Sequence, residues 1–417
     1  MSFAVCVDVG STYTKACRID LADGTLTGRA EIPTTAGTDV LHGLDRAVAQ
    51  VGAGELYVCS SAGGGLRLAV IGYEALVTAE AGHRVGLSAG AQVVHVHAGL
   101  LDGSALLEVR AARPDVILLV GGTDGGDGDT LAHNARRLAT SRMRVPVVVA
   151  GNADVREYAE TVLTERRVPV TVTGNVLPRI GVLDPGPARA AIREVFLRHV
   201  IGGKRLSRGS RFARFVRAAT PDAVLAGVSV LADTLGAGVL VVDVGGATTD
   251  VYSALIPDAE LSTGPQRDVA GTLWRSRTVE GDLGVGVGAP GVVAAAGVEK
   301  LDFPNILLGT VAADRVLAST AAMIALRRHA RGHSPGPGMP RTGGRDLRDV
   351  RLVVGSGGVL RHGGGDTVLD AVLTDTAGGW APPRTARRTV DSQYVLAAAG
   401  LLAAEHPGAA HALVNAL

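Results

Sequence analysis

The stretch VVDVGGATTDVYSAL, Val241 to Leu255, constrains this chain more than any other. β-Branched and aliphatic residues run into Asp243, two glycines follow, and apolar alternation resumes at Val251, a pattern of strand, tight turn and strand. Lacking a Cβ, Gly245 and Gly246 let backbone N–H groups approach an anion closely, and successive donors of this kind form a nest for phosphate. Thr248, Thr249 and Asp250 add hydroxyls and a carboxylate, while Asp243 ends the first strand beside the nest, where it can hold a hydrated divalent cation. The same grammar recurs at VCVDVGSTYTKACRI, Val5 to Ile19, with Asp8, Gly10, Ser11, Thr12 and Thr14 in similar places and Lys15 as an added cation. Two remote hairpins of this kind predict a duplicated fold whose halves face each other across one polyphosphate. A third glycine turn, VVGSGGVL, sets Gly355, Ser356, Gly357 and Gly358 between a strand and a helix, which suits a flat ring lying on bare backbone.

The bulk numbers bound the class. A chain of 417 residues with 47% hydrophobic content has ample material for buried cores, and about 150 residues per domain predicts two or three domains. Its 57 glycines cluster at strand ends and not in a repeat, which points to tight α/β turns. The formal net charge of +1 gives no overall attraction to nucleic acid or an anionic membrane. The first residues lack a basic secretion-signal region, and no uncharged apolar run is long enough to span a bilayer. Cys6, Cys17 and Cys59 cannot make a closed disulfide set and are expected as buried thiols in a reducing cytosol, so the protein is expected to be cytoplasmic.

Along the chain, residues 1–82 read as the first half of the duplicated fold, with the first hairpin, an Asp23-Gly24 turn, strands near 27–32 and 56–60, and a helix over 38–51 capped by Thr38 or Asp39. Residues 83–199 change to repeated strand–helix units, with VVHVH, VILLV, VPVVVA and VPVTVT separated by helices at 104–112, 130–140 and 155–165. That is a parallel sheet with crossover helices, inserted between the two hairpins. Residues 200–417 carry the second hairpin, a helix near 311–329, an exposed Pro/Gly-rich loop over 331–346, the third glycine turn and a closing helix over 392–405.

Several features have a plainer reading. Lys15 either neutralises phosphate charge or points away on its strand. Glu280 and Asp282 in VEGDLG either polarise an attacking water or cap a helix. DGGDGD, Asp124 to Asp129, has calcium-loop spacing but no distal glutamate, so turn and cap is the better reading. His95 and His97 share a strand face without further ligands at telling spacing. The arginine-rich run from Arg193 to Arg217 has no accompanying nucleic-acid motif, which favours a solvated face or one docking an acidic partner.

The three glycine turns in this order resemble the ASKHA superfamily of actin, sugar kinases and DnaK-type chaperones. The fold this implies is α/β, a duplicated ribonuclease-H-like (actin-like ATPase) two-lobed fold with an inserted parallel α/β module. More narrowly, nearly the whole chain resembles the GlmL/MutL accessory proteins of glutamate mutase, through CSSAGGGLRLAVIG, VILLVGGTDGGD, VVVAGN, VVDVGGATTDVYSA, TVEGDLG and DSQYVLAAAGLL. The resemblance implies ATP or ADP and Mg²⁺ as cofactors, with Asp8 and Asp243 as catalytic and metal-orienting carboxylates. Thr12, Thr14, Thr248, Gly245 and Gly246 would meet phosphate oxygens, assisted by Gly10, Ser11, Lys15, Thr249 and Asp250. The implied role is an ATP-hydrolysing reactivating factor for an adenosylcobalamin-dependent mutase, of glutamate mutase or aminomutase type, that promotes exchange of damaged cobalamin. The alternatives are a small-molecule kinase, with Asp250 or Asp282 as candidate base, and a hydantoinase-like amidohydrolase whose glycine turn is similar to DVGGATTDV.

Overall fold

Both hairpins form, and they form alike. In the computed structural model β1 (Phe3–Val9), β2 (Tyr13–Asp20) and β3 (Leu26–Pro33) make an antiparallel meander, and β4 (Glu55–Ser60) pairs parallel to β1. The next five strands are all parallel: β5 (Arg67–Gly72), β6 (Gln92–Ala98), β7 (Val116–Leu119), β8 (Val147–Val149) and β9 (Val170–Val172), in the order β6-β5-β7-β8-β9. β10 (Val216–Ala219) then returns to the first sheet, parallel to β4. The final sheet comprises β11 (Gly238–Val244), β12 (Thr249–Ala254), β13 (Arg275–Glu280), β14 (Val350–Ser356) and β15 (Arg387–Val390).

The first and last sheets share one topology strand for strand. Their orders are β3-β2-β1-β4-β10 and β13-β12-β11-β14-β15, each an antiparallel meander of three strands extended by two parallel ones. This is a ribonuclease-H-like unit present twice. β1 and β11 are central in their sheets and covered on both faces, so both read as near-continuous apolar runs and not as alternation.

The described residues are 2–62, 66–74, 78–88, 91–196, 198, 206–207, 211–256, 274–304, 309–332, 344–375 and 380–417. Gly63 to Gly65 of the first glycine-rich motif, Lys204 of the basic run, and residues 333–343 of the expected Pro/Gly-rich loop lie outside them. β5 precedes residue 82 yet is hydrogen-bonded into the middle sheet, and β10 follows residue 199 yet completes the first sheet. The helix expected over 38–51 runs Val40–Val51, with the Asp39 carboxylate accepting from the Leu41 N–H. The closing helix starts at Val395, later than its apolar pattern predicts, because Tyr394 sits in the left-handed region and Asp391 takes the N–H groups of Val395 and Leu396.

One core joins the two halves. Side chains of β1, β4, β11, β12 and β14 enclose the helices Thr220–Leu235, Val395–Leu402 and Pro407–Val414 in a single hydrophobic cluster. The first two helices cross backbone to backbone. A Cβ on Gly227 would stand 1.9 Å from the Leu396 carbonyl oxygen, and one on Gly400 would stand 1.8 Å from that of Ala223. Only glycine permits so close a crossing at these points.

Candidate functional site

The two turns are closed by equivalent hydrogen bonds. Gly10 N–H donates to the Tyr13 carbonyl at 3.0 Å, and Gly245 N–H donates to the Thr248 carbonyl at 2.9 Å. A Cβ on Gly10 would lie 2.8 Å from that same Tyr13 oxygen, so the tight turn requires glycine. The loop after β13 buttresses the second turn, with Val285 donating to the Gly245 carbonyl and Gly286 and Gly288 to that of Gly246. The third glycine turn packs against the end of β11. Gly357 has φ 104°, and a Cβ there would lie 2.1 Å from the Val244 carbonyl oxygen.

Asp8 and Asp243 face a common cleft between the halves, together with Lys15, Thr220, Ser356, Gly357, Arg361, Asp391 and Tyr394. The cleft is open to solvent, and its empty space of about 450 Å³ includes that open region. The Asp8 carboxylate accepts from the Thr220 hydroxyl and, at 3.6 Å, from the Cys59 thiol. Burial raises its pKa, opposed by the Lys15 ammonium and the Thr220 hydrogen bond, with Asp243 adding to the rise. Burial likewise raises Asp391, although two backbone N–H groups and Arg361 favour its charged form. Burial lowers Arg361, against the attraction of Glu31, Asp243 and Asp391.

The expected site residues divide into two groups. Asp8, Lys15, Asp243, Ser356 and Gly357 line the cleft. Gly10, Ser11, Thr12, Gly245, Gly246, Thr248, Gly355 and Gly358 lie in or beside the three glycine turns. Thr14 and Thr249 are buried, and their hydroxyls hold the hairpins together: Thr14 meets the Thr34 hydroxyl at 3.0 Å, and Thr249 donates to the Leu283 carbonyl at 3.0 Å. Asp250 pairs with Arg277 at 2.6 Å, and that guanidinium is 5% exposed. Glu280 and Asp282 both accept from Arg328, at 2.6 and 2.9 Å. In the DGGDGD loop, Asp124 accepts from Ala153 N–H and Asn175, and Asp127 from Asp129 N–H, as turn carboxylates do. Among the described residues no group of three or more His, Cys, Asp or Glu side chains forms a metal-holding cluster.

Thr220, Arg361, Asp391 and Tyr394 were not expected in the site. Thr220 was legible only as a helix start before Pro221, and Asp391 and Tyr394 only as part of DSQYVLAAAGLL. Arg361 directly follows the third glycine turn, which is the one sequence signal that could have found it.

A ribonuclease-H-like unit present twice, with a strand-end carboxylate from each copy on one cleft, defines the ASKHA or actin-like class. Within it, the family described as MutL protein matches residues 4–305 and 308–417. Protein MutL from Clostridium tetanomorphum is 33% identical over 445 aligned positions, covering 96% of each chain. The chain belongs to the MutL family. Among solved structures, component A of (R)-2-hydroxyglutaryl-CoA dehydratase from Acidaminococcus fermentans is similar over 100% of this chain and 97% of its own, at 10% identity and TM-score 0.30. The activator of 2-hydroxyisocaproyl-CoA dehydratase from Clostridium difficile, with bound ADPNP, covers 99% and 95% at 9% identity and TM-score 0.31. At these scores neither likeness bears on the site. No helix of the described residues is long and apolar enough to cross a membrane.

Proposed function

We propose that this cleft binds ATP with Mg²⁺, and that the protein is a slow ATPase serving an adenosylcobalamin-dependent mutase of glutamate mutase type as a reactivating factor. The observation that carries this reading is the pairing of Asp8 and Asp243, from equivalent strand ends of two equivalent sheets, across one cleft that also holds Lys15 and Arg361. Carboxylates suit the waters of a hydrated Mg²⁺, and cations and glycine-turn amides suit phosphate, so the donor set fits both groups. Bound there, Mg²⁺ would screen phosphate charge and ATP would supply a γ-phosphoryl group whose contacts hold the halves together until it is lost.

The chain's own residues supply orientation and coupling. Thr220 fixes one oxygen of Asp8, leaving the other for the cleft. Thr220 also begins the helix that crosses Val395–Leu402 at Gly227 and Gly400, so a shift at the cleft wall is carried into that crossing. The middle parallel sheet, or the hinge beside it, is the element we assign to the mutase. A kinase reading has less support, because its candidate bases Asp250 and Asp282 are each paired with an arginine.

Calorimetry with Mg²⁺ and ATP on the wild type and on Asp8→Ala and Asp243→Ala tests the site. Each substitution should weaken binding at least tenfold and slow both ATP turnover and reactivation of a cobalamin-inactivated mutase. Wild-type affinity in the double variant would remove the basis of the proposal.

A further inference from the structure

Cation contacts from both halves converge on one ring in the cleft. Lys15 Nζ stands 3.9 Å and Arg361 Cζ 3.4 Å from the Tyr394 ring centroid, with Arg29 Cζ farther off at 5.2 Å. Lys15 comes from β2 of the first sheet, and Arg361 from the short turn Leu360–Gly364 that follows β14 of the last, so a single side chain ties the halves together.

The ring holds this place at a disadvantage. Tyr394 has φ 60° and ψ 36°, a left-handed conformation that a side chain with a Cβ adopts reluctantly. Its hydroxyl is buried without a hydrogen-bond partner among the described residues. The two nearer cations make few direct polar contacts. Among the described residues neither closes an ion pair, and Arg361 makes one hydrogen bond, from Nε to the Gly357 carbonyl at 3.2 Å. Its terminal N–H groups remain available in a fork that matches phosphate. An aromatic quadrupole is a weaker partner for a desolvated guanidinium than a phosphate oxygen is.

We propose that Arg361 is a polyphosphate-binding residue of the second half, acting with Lys15 of the first, and that Tyr394 holds both cations until the polyphosphate of a nucleoside triphosphate replaces its ring. This rests on the nucleotide reading above and extends it. It adds a ligand outside the three glycine turns and names a side chain that competes with the nucleotide. The two residues therefore have opposite signs: removing the guanidinium loses affinity, and removing the ring gains it. A purely structural role for both would make both substitutions losses.

The test is calorimetry on the full-length wild type, Arg361→Gln, Arg361→Lys and Tyr394→Leu, with Mg²⁺–ATP, adenosine and inorganic tripolyphosphate as probes. Arg361→Gln should weaken ATP and tripolyphosphate by about 10- to 100-fold while leaving adenosine unchanged. Arg361→Lys should fall between, since it keeps the charge and loses the fork. Tyr394→Leu, which keeps an apolar side chain without a π face, should tighten tripolyphosphate binding by roughly 3- to 10-fold. Wild-type affinity for both anions in Arg361→Gln, or a loss in Tyr394→Leu as large as that in Arg361→Gln, would overturn the proposal. Should Arg361→Gln not fold, the Lys and Leu variants decide by the same signs. A wild type that binds tripolyphosphate through Arg361 but not ATP would refute the nucleotide reading alone, and a wild type that binds neither would refute both.

Discussion

Replacing Gly400 by alanine should destabilise the protein and loosen its cleft, although alanine is the better helix former. The added Cβ would lie 1.8 Å from the Ala223 carbonyl oxygen and 2.8 Å from the Gly227 nitrogen, all backbone atoms of the helix Thr220–Leu235. A carbon–oxygen contact relaxes to about 3.3–3.6 Å, so the helices must part by roughly 1.5 Å at their crossing. Alanine's helix propensity returns about 1 kcal/mol, whereas overpacking a close contact costs about 1–3 kcal/mol and more when backbone must move. Steric strain wins, and we expect a net loss of about 2 kcal/mol. Gly297 in the helix Ala289–Val298 is the matched control, because a Cβ there meets nothing within 4 Å. Gly297→Ala should be stabilising by up to about 1 kcal/mol. Equilibrium urea unfolding measures both, and calorimetry with Mg²⁺ and ATP reports the cleft. Thr220 and Val224 from one helix, and Leu396 and Ala397 from the other, line it, so parting the helices should also weaken nucleotide binding. A Gly400→Ala protein as stable as Gly297→Ala would refute the close crossing and the coupling built on it.

Two further outcomes follow from buried titratable groups. His329 lies between the Ser253 and Thr278 hydroxyls, and burial, followed by the charge of Arg345, pushes its pKa down to about 3. The unfolded chain takes up that proton near pH 6.5, so the stability gained by keeping His329 neutral is complete above that pH and is lost as pH falls toward 3. By pH 5 the loss is about 2 kcal/mol, and urea titrations at pH 7 and 5 should show a smaller drop for His329→Gln than for the wild type; equal drops would count against it. Cys6, Cys17 and Cys59 are buried, and burial raises all three thiols, Cys17 to about 12. Ellman's reagent at pH 8 should therefore react negligibly with the native protein and with three thiols in denaturant; rapid native labelling would contradict the packing.

The hairpins were legible because their chemistry is local. A strand-end carboxylate, a glycine that must make a tight turn and hydroxyls beyond it all fall within a few residues, twice. Strand pairing is not local, and that limits what the sequence shows of the sheets. β5 reads as a strand, but its partners β6 and β7 lie downstream, so nothing beside it says which sheet it joins. β10 is a four-residue strand that overlaps the end of the arginine-rich run, and it pairs with β4, some way back in the chain. Tyr394 lies where the apolar pattern predicts helix, and the left-handed backbone that delays the helix depends on Asp391 capping it from within a folded cleft.

The two registers explain which hairpin residues turn to the cleft. Thr14 lies opposite Val9 as a duplicated unit requires of Thr249 opposite Val244, and both threonines are buried, so side-chain alternation removes them from the cleft-facing set. One step along, Lys15 faces Asp8 where Asp250 faces Asp243, so the equivalent position carries opposite charges in the two halves. The second half neutralises its extra carboxylate with buried Arg277 and needs a cation from elsewhere to match Lys15. Arg361 meets that need from the turn after β14, a position with no counterpart in either hairpin. Asp8 and Asp243 are thus equivalent in the two halves, while Asp391, Lys15 and Arg361 have no such counterparts in the cleft, and the triphosphate of a nucleotide, whose two ends differ, is the kind of ligand such a site can orient.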